Sequence, residues 1–136
     1  MRQNDHRTSP AGSRWGWKAA ALLIAAALFW AATSDEVYDA TSPPTLSWHV
    51  LLRKAYSIAA FALVGFSADK ALGPSARPLL RAALLVAAYS AAIEVAQAWH
   101  ASQEGVWWNA VDVLCGAAGG ALGVIAARII RSRRRS

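Results

Sequence analysis

Cysteine is almost missing from this chain: Cys115 stands alone among 136 residues. An internal disulfide is excluded, and so is any metal site built on several thiolates. Charge is scarce too, at 16% of residues against 56% hydrophobic, a balance that a soluble domain of this size rarely reaches. Lys and Arg are absent from two stretches, around 34–47 and 100–107, which hold Asp35, Glu36, Asp39 and Glu104 instead. The short motifs of common hydrolase and nucleotide chemistry are also missing. There is no HExxH, no CxxC, no GxSxG and no phosphate-cradling Gly loop behind a strand. No internal repeat is evident, and the length bounds the chain to one domain.

What is present is a set of apolar runs with cations at alternate ends. Twelve of the fourteen Lys and Arg residues fall into three clusters. Arg2, Arg7, Arg14 and Lys18 precede the first run; Lys70, Arg77 and Arg81 separate the second from the third. Arg128, Arg131, Arg133, Arg134 and Arg135 follow the fourth. Cytoplasmic loops retain Lys and Arg whereas translocated loops lack them. The expected fold is therefore an all-α, four-transmembrane-helix bundle in the cell membrane, with both termini cytoplasmic. The net charge of +6 does not read as a nucleic-acid footprint, because the cations flank apolar runs instead of interleaving with exposed aromatics. Attraction to the anionic inner membrane surface accounts for them.

The spans are expected at about 16–33, 48–68, 79–99 and 107–130, within one membrane domain over 15–131. Residues 1–14 read as a disordered cytoplasmic tail and 131–136 as a basic cytoplasmic one. Arg14 and Lys18 ahead of an apolar run resemble a signal peptide. Bulky Phe29 and Trp30 occupy the place where a cleavage site wants small residues, so the first helix is expected to be retained. Trp15, Trp17 and Trp30 mark the two ends of that helix as interface anchors. Asp69, Lys70 and Gly73-Pro74 end the second span, Pro78 opens the third, and Trp107 and Trp108 open the fourth.

The fourth span contains Gly116 with Gly120 and Gly119 with Gly123, each pair four residues apart. That spacing lines small residues on one helix face and lets another helix approach closely. Packing within the bundle is the plain reading; a homodimer or another membrane-protein partner is the sharper one.

Charges inside spans are costly unless paired, which makes each a functional candidate. There are four here: Arg53, Lys54, Glu94 and Asp112. Measured from Trp48, Trp99 and Trp108 at the outer ends, all four lie roughly 6–8 Å deep at 1.5 Å per residue. Gln97 shares a face with Glu94. The expectation is a polar pocket of Lys54, Glu94, Gln97, Asp112 and Arg53 open to the outer leaflet, with Lys54 beside Glu94. The plain alternative is an ion-paired knot that only fixes helix orientation. Paired carboxylates near a lysine also suit acid–base chemistry. His49 and His100 are too few to argue for a metal, and no metal or cofactor is expected.

The segments RKAYSIAAFALVGF (53–66), IEVAQ (93–97) and VDVLCGAAGGALG (111–123) together resemble the VanZ-like membrane proteins. The likeness covers about 53–130 and is carried by Lys54, Glu94, Gln97, Asp112, Gly119 and Gly123. The chain departs from that pattern at Ser57, Phe61, Val106 and Gly116. The resemblance implies a small integral protein of the cell envelope, in a family named for a protein linked to glycopeptide resistance, and it supplies no reaction. Three functions compete on this reading. The first is a non-enzymatic protein whose polar cluster binds a membrane lipid, a cell-wall precursor or a glycopeptide-type amphiphile. The second is an intramembrane enzyme using Glu94 or Asp112 as general base on a lipid-linked substrate. The third is a non-catalytic helper subunit of a larger complex.

Overall fold

Helices form wherever Ala, Leu and other good helix formers run without interruption, and they stop at glycine, proline or polar punctuation. The computed structural model describes residues 10–41, 48–99 and 106–133. Its elements are α1 (Pro10–Thr33), α2 (Asp35–Thr41), α3 (His49–Leu72), α4 (Pro78–Trp99) and α5 (Val106–Arg133). Among the described residues there is no strand. Four of these helices are long and apolar enough to cross a membrane, which makes this a multi-pass membrane protein.

The helix ends follow local chemistry. Pro10 and Pro78 occupy the first positions of α1 and α4, where the missing N–H costs nothing and the fixed φ suits a helix. The start of α1 at Pro10 puts a helical turn inside the segment read as a disordered tail; residues 1–9 and 134–136 lie outside the described residues. The Thr33 hydroxyl folds back onto the Phe29 carbonyl at 2.8 Å as α1 ends. Gly73 closes α3 with φ 73° and donates its N–H to the Asp69 carbonyl at 3.0 Å, a positive-φ conformation that glycine adopts without a steric penalty. The short α2 lies in the acidic connection, where no helix was expected. Asp35 and Glu36 in its first turn complement the positive end of the helix dipole.

α5 packs along both α3 and α4, α1 leans on α3 and less on α4, and α3 and α4 touch each other little. Cross-helix contacts fix the directions. Trp17 meets Phe66 edge-on at 5.8 Å, so α1 and α3 run antiparallel. Tyr89 on α4 donates to the Ala25 carbonyl of α1, and Gln97 to the Ala32 carbonyl, so α1 and α4 run parallel. One end of the bundle consequently gathers Arg14, Lys18, Lys70, Arg77, Arg81, Arg128, Arg131 and Arg133, while Asp35 and Glu36 stand at the other. Trp15 at the basic end and Trp30, Trp48 and Trp99 at the acidic end are all more than half exposed, as indoles at headgroup level would be. Trp17, expected as a third anchor on α1, instead turns inward onto Phe66.

The core is thin: Phe61, Val64, Val86 and Ile93, with Ile24, Leu28, Ala32 and Tyr89 packed against them. The outward surface stays rich in leucine, with Leu22, Leu51, Leu63, Leu84 and Leu114 each more than half exposed. Close backbone approach does the rest of the packing. A β-carbon on Gly65 of α3 would sit 2.7 Å from the Gly120 Cα of α5. Gly119 and Gly123 back onto Phe61, Ala62 and Phe66 of α3, whereas Gly116 and Gly120 back onto Val86, Ser90 and Ala82 of α4. α5 thus carries two glycine stripes, and helices of its own chain fill both.

Candidate functional site

Three helices bring their charged positions to one level near the acidic end. Lys54 lies five residues into α3, Asp112 six residues into α5, and Glu94 five residues before the end of α4. At 1.5 Å per residue each is about 8 Å from its helix terminus. Lys54 Nζ donates to both carboxylate oxygens of Asp112, each at 2.6 Å. The two side chains keep 14% and 17% of their surface exposed, so the pair sits at the margin of the α3–α5 contact and is not sealed inside it. Removing charges from water is costly, and a two-pronged pair at this distance is the arrangement that recovers most of that cost.

Asp112 is tied to a third helix through its backbone. The Ser90 hydroxyl of α4, 1% exposed, donates to the Asp112 carbonyl at 3.1 Å. Gly116 makes the room for it, because a β-carbon there would stand 2.7 Å from the Ser90 Cβ. Asp112 therefore joins α3 through its carboxylate and α4 through its main chain.

The remaining candidates take different positions. Glu94 is half-buried one helical turn beyond Ser90 on the same helix, which puts it beside the opening turns of α5. Arg53 is half-buried next to Lys54, and Arg53, Glu94 and Asn109 each have an interaction partner. Gln97 directs its amide to the Ala32 carbonyl of α1 at 2.7 Å, one of the last-turn carbonyls that α1 cannot satisfy by itself. It links α4 to α1. The side chains of His49 and His100 lie outside the described ones. Among the described residues no three His, Cys, Asp or Glu side chains converge as metal ligands would.

Two residues with clear roles were not legible as such in the sequence. Ser90 looks like one more small residue in an Ala-rich helix, and its contact with Asp112 has no local signal. Asp69 reads as a helix terminator, yet its side chain is 7% exposed and faces Arg131 at 3.3 Å and Arg81 at 3.7 Å. Its signal was its isolation, a lone acid between clusters of cations. Compared with family models, with curated proteins and with solved structures, the chain finds no match.

Proposed function

We propose that this is an integral membrane protein of the cell envelope, related to the VanZ-like proteins, with both termini in the cytoplasm. Its polar cluster of Arg53, Lys54, Glu94 and Asp112 faces the outer leaflet and binds the head group of an amphiphile, either a lipid, a cell-wall precursor or a glycopeptide-type compound. The carrying observation is the Lys54–Asp112 pair. It is closed at 2.6 Å but keeps part of its surface exposed, with Arg53 next to Lys54 in sequence and Glu94 one helical turn from Ser90, which bonds the Asp112 carbonyl. A phosphate or carboxylate on a ligand can compete with Asp112 for the ammonium, and a ligand amine can take the carboxylate it leaves. The orientation is supported by the cations at one end and their absence from the connections at the other.

A catalytic role for Asp112 has less support, since a carboxylate held on both oxygens by an ammonium is a poor general base. The reading as a structural tie has a specific observation behind it, the double anchoring of Asp112 to α3 and α4. Mass spectrometry of lipids retained on gently purified protein separates the two. Binding predicts a retained amphiphile that is lost from Lys54→Ala and kept by Glu94→Asp. An unchanged lipid profile in Lys54→Ala, with lowered stability alone, would leave the tie.

A further inference from the structure

The basic end holds a second charged arrangement that amphiphile binding at the acidic end does not use. All four spanning helices contribute to it. Asp69 of α3 accepts a hydrogen bond from Arg131 Nη2 of α5 at 3.3 Å, and Arg81 of α4 lies 3.7 Å from its other oxygen. Arg81 Nη2 also donates to the Gly73 carbonyl at 2.7 Å. The Arg14 guanidinium of α1 lies over Gly73, in the space a β-carbon would fill. One carboxylate thus faces two guanidinium groups, and a third, that of Arg14, stands over the neighbouring helix cap. The arrangement keeps an excess of two positive charges (three arginines less one aspartate), and Lys70, Arg77 and Arg128 stand at the same end. Arg131 remains 43% exposed, so the guanidinium that Asp69 orients still presents a surface outward.

We infer that this cluster is a binding site for the phosphodiester of an anionic phospholipid. Guanidinium forks match phosphate oxygens in both charge and geometry. Asp69 and the Gly73 carbonyl hold Arg81 and Arg131 in place before any ligand arrives, which lowers the ordering cost of binding. Basic recesses between spanning helices at a membrane face are suited to anionic head groups. The flanks favour a lipid over a free phosphate: Leu72, Leu79, Leu80, Ile129 and Ile130 are each at least 41% exposed around the cluster and offer an apolar surface to acyl chains. The inference rests on the four helices crossing a membrane and is independent of what the Lys54–Asp112 cluster binds.

The test uses the full chain in nanodiscs of phosphatidylcholine alone, of phosphatidylcholine with phosphatidylglycerol, and of phosphatidylcholine with inorganic phosphate in the buffer. Phosphatidylglycerol should raise the melting temperature and remain bound in native mass spectrometry, while inorganic phosphate should do neither. Arg81→Gln and Arg131→Gln should each weaken phosphatidylglycerol retention about fivefold to tenfold. Arg128→Gln, which removes the same charge from an exposed position, should change it by less than about twofold. Asp69→Asn should melt lower in phosphatidylcholine and recover in phosphatidylglycerol, because the lipid phosphate takes over the freed guanidinium groups. This variant keeps the test decisive if the arginine variants fold poorly. Equal losses for Asp69→Asn in both lipids, or equal retention by Arg81→Gln, Arg131→Gln and the parent, would overturn the site. A gain with inorganic phosphate that matches the lipid would overturn the lipid.

Discussion

At the scale of single residues, energy is concentrated where opposite charges meet with little water to replace the partner. Lys54 and Asp112 form such a pair at 2.6 Å. Losing one member takes from the other its two-pronged counter-charge, at a cost of about 3 kcal/mol, whereas losing both removes the two charges together. In a double-mutant cycle on unfolding in detergent, Lys54→Ala and Asp112→Ala should each be strongly destabilising, and the double variant should fall well short of their sum. Additive losses would show that the two charges do not sense each other. Gly73 tests backbone geometry instead. Its φ of 73° means that Gly73→Ala adds backbone strain, and the new methyl also displaces the flexible end of Arg14. A loss of roughly 1 kcal/mol or more is expected in the same unfolding assay.

For elements, the decisive variable is how closely two backbones approach. Gly120 faces α4 through its missing side chain while its own backbone lies against Gly65 of α3. Gly120→Leu should push α5 off both neighbours, and folded yield in detergent should drop sharply. A leucine on the outward side of the same helix, such as Ala118→Leu at an exposed position, should leave yield unchanged. Similar yields for the two variants would mean that the glycines do not set the packing distance.

The four spanning helices were legible in the sequence because apolar length and flanking charge are one-dimensional signals. The short α2 was not, since seven residues with four polar ones among them are too few to show a helical period. The early start of α1 was signalled only by Pro10, a cue that competes with a polar, Gly-containing context. Depth could be read by counting residues, so the charged positions of three helices could be placed at one level. Azimuth could not be read that way. It decides that Lys54 closes on Asp112 and that Gln97 turns to α1, and it depends on crossing angles set by packing.

For the whole molecule, the question is which end faces which side. The proposed orientation places the α3–α4 connection in the cytoplasm and the two cation-free connections outside. In a Cys115→Ala background, a single cysteine at position 75 should resist an impermeant thiol reagent added to intact cells, and one at position 36 should react. Labelling at 75 from outside would reverse the orientation. Quenching by lipids brominated at different depths offers a second check. With the other tryptophans changed to phenylalanine, Trp99 alone should be quenched best by shallow bromines, and deep quenching would remove it from the interface.

The Lys54–Asp112 pair links residues 58 positions apart, and that separation matters during synthesis. A ribosome delivers α3 to the bilayer well before α5 exists. For that interval the helix must hold a cation near one end without the aspartate that will pair with it, and the Gly65 surface that will meet α5 lies against lipid. α3 and α4 have little contact to keep them together meanwhile. The nascent bundle is therefore an open intermediate whose closure waits on its fifth helix, and that interval is when membrane quality control meets the Lys54 ammonium before Asp112 has reached it.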